Sequence, residues 1–143
     1  MKRYTIFFAS LVFFAVVMIG MAQTRDEFKH KYGPPDAKGR YLVRPDIGFE
    51  VKYKQNRTLS EMTIKPLSSE NDGSKKVMSS KLAEESLDEL VPEKRRGEKT
   101  KEGVAEFGCT SVNYTEYELV KINTTKRCSA QGDGTYSINV RWK

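Results

Sequence analysis

The longest apolar run in the chain lies at its start. Lys2 and Arg3 precede an uncharged stretch from Tyr4 to Thr24, whose apolar heart is Ile6 to Ala9 and then Leu11 to Ile19. Gly20 and Ala22 place small residues at the −3 and −1 positions of a cut before Gln23. A cationic start, an apolar centre and a small-x-small site form the pattern of a secretory signal peptide. Residues 1–22 are therefore expected to be removed and residues 23–143 to form a single exported domain. The alternative is an uncleaved N-terminal membrane anchor, because the run is near the roughly 17-residue minimum for a span. Either way, the positive end stays inside and the remainder crosses.

Beyond this run the apolar positions become periodic. Thr24-Arg25-Asp26-Glu27 is a capping box, Phe28 and Tyr32 share one helical face, and Gly33-Pro34-Pro35 ends the turn. The pattern predicts a short helix over Arg25–Tyr32. Tyr41-Leu42-Val43 reads as a short strand. Phe49 to Tyr53 alternates apolar and charged residues, and Met62-Thr63-Ile64 resumes the alternation after a polar turn, so residues 48–65 are expected to form an antiparallel hairpin. A second helix starts at Ser79 or Ser80 and runs through Leu90, with Ala83, Leu87, Leu90 and Val91 on one stripe and Pro92 as its stop. Val112 to Asn123 reads as a strand whose alternation slips between Leu119 and Val120, as at a bulge. Tyr136, Ile138, Val140 and Trp142 alternate without fault and are assigned to the core.

These elements add up to an α+β domain: an antiparallel sheet of four to five strands in two hairpins, two helices and one disulfide. Residues 66–78 and 92–108 are expected to be loops. Cys109 and Cys128 are the only cysteines, and an even count in an exported chain reads as a disulfide. Closing a loop of about 20 residues contributes on the order of 3 kcal/mol. A Cys-x-x-Cys redox motif is absent. Asn56-Arg57-Thr58, Asn113-Tyr114-Thr115 and Asn123-Thr124-Thr125 match the glycosylation sequon, which matters only in a glycosylating host.

Composition narrows the classes. A hydrophobic content of 38% excludes a multi-span membrane protein, and seven Tyr and seven Phe exclude a wholly disordered chain. One His and two Cys leave few parts for a catalytic triad or a His/Cys metal site. The net charge of +6 directs attention to anionic partners.

The segment Phe28 to Pro35, followed by a hairpin, resembles the helix–Gly–Pro–strand pattern of SmpA/OmlA-type envelope proteins, which are outer-membrane assembly lipoproteins. This chain has no lipoprotein cysteine near the cut. A fuller pattern joins Tyr32-Gly33-Pro34-Pro35 to Asp88-Glu89-Leu90-Val91-Pro92, Arg96-Gly97 and the Cys109/Cys128 pair. It is similar to small exported bacterial proteins of unassigned function. Neither resemblance implies a catalytic residue.

Candidate chemistry is sparse. His30 with Asp26 at i−4 could form a base and its orienter, but a cation at a helix C-terminus explains it as well. Glu84, Glu85, Asp88 and Glu89 could supply a hydrolytic carboxylate pair, yet all four lie on one helix rather than across a cleft. Glu70, Asn71 and Asp72 lack the spacing of a calcium loop. No catalytic residue, metal or cofactor is assigned. The remaining candidate is a basic segment, Lys94, Arg95, Arg96, Lys99 and Lys101, expected to be an exposed loop that contacts an anionic envelope component. It has no aromatic stacking partners, which disfavours nucleic acid. The sequence thus points to a non-catalytic binding or envelope-associated module, periplasmic or secreted, whose partner is an envelope component or an extracellular protein. The alternatives are an inhibitor of an extracellular enzyme and a carboxylate-dependent hydrolase.

Two outcomes test the export reading. Intact-mass measurement of secreted material is expected to give a chain starting at or next to Gln23, and non-reducing peptide mapping is expected to link Cys109 to Cys128. Retention of Met1 in a membrane fraction would establish the anchor instead.

Overall fold

The structure is a computed structural model that describes residues 24–67, 76–128 and 134–143. The expected signal segment 1–22 and the Glu70-Asn71-Asp72 trio lie outside the described residues.

Helix α1 spans Arg25–Tyr32, as the capping box predicts. The Thr24 hydroxyl accepts the Glu27 N–H at 3.3 Å, and the Thr24 N–H donates to Glu27 Oε2 at 3.1 Å. Gly33 ends the helix at φ +79°, with its N–H on the Lys29 carbonyl at 2.9 Å. The buried residue of α1 is Phe28, whose ring meets Phe49 edge-on at 5.3 Å and Tyr41 at 5.9 Å. Tyr32 adds a second edge contact to Phe49 at 5.2 Å. This aromatic cluster fixes α1 on the first two strands, β1 (Tyr41–Arg44) and β2 (Ile47–Tyr53), which β3 (Leu59–Pro66) follows.

The β2–β3 hairpin forms as predicted, with Phe49 opposite Ile64 and Val51 opposite Met62. The Asn56 side chain closes its turn, accepting the Thr58 N–H at 3.1 Å and the Thr58 hydroxyl at 2.6 Å. Helix α2 spans Ser80–Leu90 and is capped by the Ser79 hydroxyl, which accepts the Leu82 N–H at 3.2 Å. Its apolar stripe buries Ala83 and Leu90, and Val91 follows them into the core. Ser86 is also fully buried there, and its hydroxyl satisfies itself on the Leu82 carbonyl at 2.8 Å.

The rest of the chain corrects the expected architecture. Four more strands follow, β4 (Lys99–Phe107), β5 (Thr110–Tyr117), β6 (Val120–Arg127) and β7 (Gly134–Trp142). All pairings are antiparallel in one seven-stranded sheet ordered β1-β2-β3-β7-β6-β5-β4. The sheet is thus larger than four to five strands in two hairpins, for two reasons. The slip between Leu119 and Val120 is not a bulge within one strand: Glu118 and Leu119 form the two-residue turn between β5 and β6. The segment expected to be a charged loop at 92–108 contains β4, an edge strand exposed along most of its length. An edge strand with no helix above it buries no face, so it carries no apolar alternation, and its charges protect the free edge.

Both helices lie on one face of the sheet. Beneath them a row of paired residues runs Phe49–Ile64–Ile138, and the next runs Val51–Met62–Val140–Ile122. Phe49, Ile64, Met62 and Val140 are completely shielded from solvent. Of the four β7 residues assigned to the core, Ile138 and Val140 are buried and Trp142 packs half-buried against them. A register shift beside Thr125 and Lys126 displaces Tyr136, whose ring is covered by the Arg127 guanidinium at 4.1 Å.

The helix-free face is polar. There Tyr114 of β5 lies over Gly103 of β4, where an added Cβ would overlap the Tyr114 ring. The glycine leaves room for the ring to cover an otherwise bare patch of edge backbone. Cys109 and Cys128 bracket the β5–β6 pair and are disulfide-bonded, with Cα atoms 5.6 Å apart. Such a bond fits an oxidising compartment. No helix among the described residues is long and apolar enough to cross a membrane.

Phe28→Ala is expected to cost about 3–5 kcal/mol in denaturant-induced unfolding, because the cavity opens where α1 meets Tyr41 and Phe49. A loss below about 1 kcal/mol would mean that α1 is not held by this cluster.

Candidate functional site

The five cations expected to act together are separated by the fold. Glu93–Arg95 forms a 3-10 turn in which Lys94 is exposed and Arg95 partly so. Arg96 is only 6% exposed. Its Nε donates to the Val91 carbonyl at 2.7 Å, its guanidinium pairs with Asp88, and its charge lies 5.9 Å from the Tyr117 ring centre. The Val91 carbonyl belongs to the C-cap of α2 and would otherwise be orphaned. Arg96 is therefore a structural bracket and not a free anion contact. Gly97 follows at φ +77°, where a Cβ would strike Glu118. The Glu98 N–H donates to Glu118 Oε2 at 3.0 Å, and the Glu118 N–H donates to the Glu98 carbonyl at 2.9 Å. These contacts tie the start of β4 to the β5–β6 turn.

Lys99 and Lys101 sit on β4 and not in a loop. Lys99 hydrogen-bonds Glu102 at 2.8 Å, which raises its pKa above the ordinary lysine value. Lys101 lies 5.9 Å from the Tyr114 ring centre. Lys94 and Arg95 make no ion pair among the described residues.

The carboxylates of α2 are likewise dispersed. Glu89 accepts the Tyr32 hydroxyl at 3.0 Å and pairs with Arg44 at 3.3 Å and Lys31 at 3.5 Å. Burial raises the Tyr32 pKa above the usual phenol value. Glu85 pairs with Arg44 at 3.8 Å, and Asp88 holds Arg96. Three of the four acids thus clamp α2 to α1, β1 and the following turn. Glu84 has no ion pair among the described residues. His30 is exposed in the last turn of α1. No group of three or more His, Cys, Asp or Glu side chains that could hold a metal ion is found among the described residues.

The concave site lies elsewhere. The row Phe49–Ile64–Ile138 continues across the sheet as Thr124, Asn113 and Val104, and the row ending at Ile122 continues as Thr115 and Glu102. The face therefore changes from apolar to polar between β7 and β5. Here α2 forms one wall, through Ala83, Glu84 and Leu87, of a groove of about 180 Å³ floored by Asn113, Thr115 and Thr124. The groove adjoins a cleft of about 360 Å³ beside the disulfide, bordered by Arg127, Ser111 and Glu106. Ser80 and Lys126 line both, so the two are neighbours. The side chains of Asn113, Thr115, Thr124 and Lys126 make no hydrogen bonds among the described residues and are half-buried.

Sequence reading missed this floor. Thr and Asn at alternate strand positions are indistinguishable from a solvated face. The one available signal was that two Asn-x-Thr tripeptides, Asn113-Tyr114-Thr115 and Asn123-Thr124-Thr125, fall on neighbouring strands with no apolar face between them.

No protein-family model matches this chain, and no curated protein does. The likeness to SmpA/OmlA-type proteins gains no support from these comparisons. Among solved structures, the chain is similar to a DUF4309 family protein (YjgB) from Bacillus subtilis subsp. subtilis str. 168. That match has 11% identity and a TM-score of 0.44, and covers 84% of this chain and 78% of that one.

Arg96→Gln is expected to destabilise the protein by about 3 kcal/mol, since it removes a buried cation that satisfies a helix-end carbonyl and a carboxylate. Lys94→Gln should change stability by less than about 0.5 kcal/mol. Equal effects in chemical denaturation would remove the distinction drawn between the two.

Proposed function

We propose that the chain is an exported, non-catalytic binding module, and that it holds its ligand in the groove between α2 and strands β5 and β6. The observation that supports this most is the floor of Asn113, Thr115 and Thr124. These positions face the same side as the core, yet they carry hydrogen-bonding groups that have no protein partner among the described residues. Half-buried polar groups without partners are favourable only when water or a ligand satisfies them. Export rests on the N-terminal pattern and on the Cys109–Cys128 bond. The carboxylate-hydrolase alternative loses support because Glu85, Asp88 and Glu89 are engaged in ion pairs.

A second reading keeps the cations Lys94, Arg95, Lys99 and Lys101 as a contact with an anionic surface, with Arg96 removed from the set. Its support is that Lys94, Lys99 and Lys101 are exposed near one end of the sheet. Such a contact would be long-range and screened over about 10 Å at 0.1 M salt.

One experiment separates the two. The secreted protein is incubated with native envelope polymer, and retention is compared for wild type, for Thr124→Trp, which fills the groove, and for Lys94→Gln/Arg95→Gln/Lys99→Gln. Loss of retention in Thr124→Trp alone, at both low and high salt, supports the groove. Loss in the triple variant alone, confined to low salt, overturns it in favour of the surface. Retention by neither wild type nor variants overturns both.

A further inference from the structure

The lining of the groove proposed above is balanced in charge. Glu84 is its acid and Lys126 its base, and the other lining residues are neutral. No aromatic side chain lines it among the described residues. Its wall on α2 runs from Ser80 to Leu87, a length of about 10 Å at 1.5 Å per residue.

Strand register decides how the floor is arranged. Asn113 of β5 lies directly opposite Thr124 of β6, which brings their Cβ atoms to about 5 Å. Thr115 follows Asn113 by two residues on the same face, about 7 Å along β5. Thr124 is in turn opposite Ile138 of β7, so three consecutive strands present an aliphatic group, a hydroxyl and an amide in one row. Leu87 and Ala83 line the groove from α2. The groove is thus aliphatic along α2 and β7 and hydrogen-bonding along β6 and β5. The amide of Asn113 carries a donor and an acceptor, and each Thr hydroxyl serves as either.

This lining selects among ligand classes. Strands β5 and β6 are each paired on both sides, so an extended peptide finds no free main-chain edge on the floor. A nucleobase finds no aromatic side chain there to stack on. A fatty acyl chain would take the amide and hydroxyls of the floor out of water without bonding to them. An anionic ligand gains nothing from Lys126 that Glu84 does not offset. A neutral sugar bonds to the floor through its hydroxyls, and one that also carries an aliphatic substituent uses the other side of the groove.

We propose that the groove binds an N-acetylated hexosamine unit of a neutral glycan. The acetamido N–H and C=O match the acceptor and donor of the Asn113 amide, its methyl group packs on Leu87 and Ala83, and the ring hydroxyls bond to Thr115 and Thr124. This inference rests on the groove being the binding site.

The test is amide NMR of the secreted protein titrated separately with the β-1,4-linked disaccharides of N-acetylglucosamine, of glucosamine and of glucose. The acetylated disaccharide is expected to give saturable shifts at Asn113, Thr115 and Thr124, and the other two to bind at least about tenfold more weakly. Asn113→Asp keeps the size of the side chain and removes its donor, so it should weaken the acetylated probe by about tenfold or more. Thr124→Val removes one hydroxyl from a strand position that Val suits, so it should keep the melting temperature and also weaken binding. If all three disaccharides bind equally at the floor, or if the acetylated probe binds a folded Asn113→Asp protein as tightly as wild type, the acetamido assignment is overturned and the groove reading stands. If no disaccharide gives saturable shifts while Thr124→Trp still abolishes retention on envelope polymer, the sugar class is overturned and the groove reading stands. If no disaccharide binds and Thr124→Trp is retained like wild type, both are overturned.

Discussion

The pairing of β3 with β7 is the contact on which the molecule depends. It joins two antiparallel meanders, β1–β3 and β4–β7, that are otherwise connected only by the chain that carries α2. Met62 lies opposite Val140 and Ile64 opposite Ile138, and all four side chains are at most 1% exposed. Asn139 reinforces the seam on the other face, donating to Glu61 at 2.6 Å and to Thr63 at 3.2 Å. The Asn139 amide and the Lys52 ammonium hold the Glu61 carboxyl below its ordinary pKa. The partners are more than 70 residues apart along the chain. Closing so distant a contact makes folding slower than local hairpin formation, and the seam joins the two halves only after that closure.

Once the meanders are joined, the path of the chain between them is constrained. Strand β3 lies inside the sheet, next to its central strand β7, and β4 is at the far edge, so the connection crosses the covered face. Helix α2 makes this crossing. At its far end Arg96 converts the loose last carbonyl into a buried, hydrogen-bonded stop, and Gly97 takes the left-handed turn that a side chain would block. At its near side Arg44 and Lys31 hold the acids of α2 against α1 and β1. The basic and acidic clusters that look like functional groups in the sequence are, for the most part, the fasteners of this crossing.

The crossing also creates the groove. One eleven-residue helix is too narrow to cover the four strands of the second meander. Apolar residues occupy the positions it does cover, and Thr124, Asn113 and Thr115 occupy those just beyond. Short polar side chains there leave the space unfilled. The disulfide at the open end of β5 and β6 limits fraying where the wider cleft begins. The groove therefore follows from the mismatch between helix width and sheet width.

The sequence by itself determined the local elements. The capping box and Gly33 bounded α1, Ser79 and Pro92 bounded α2, and the alternation around Phe49 and Ile64 set the first hairpin. These signals are legible because caps, stops and period-2 burial act between near neighbours. The cysteine pair was legible for a different reason: two cysteines have one way to combine. Only the tertiary structure decided the number of strands, because β4 buries no face and so leaves no periodic trace. It alone decided that Arg96 is a bracket while Lys94 stays exposed, since identical charges in one segment differ only in which carbonyls and carboxylates the fold brings to them. It alone brought Ser80 and Lys126, which come from a helix and a strand and share no spacing in the chain, to the edges of the same two cavities. Side-chain chemistry fixes what each residue offers, but the place where those offers meet is set by strand register and helix position, through contacts that span the length of the chain.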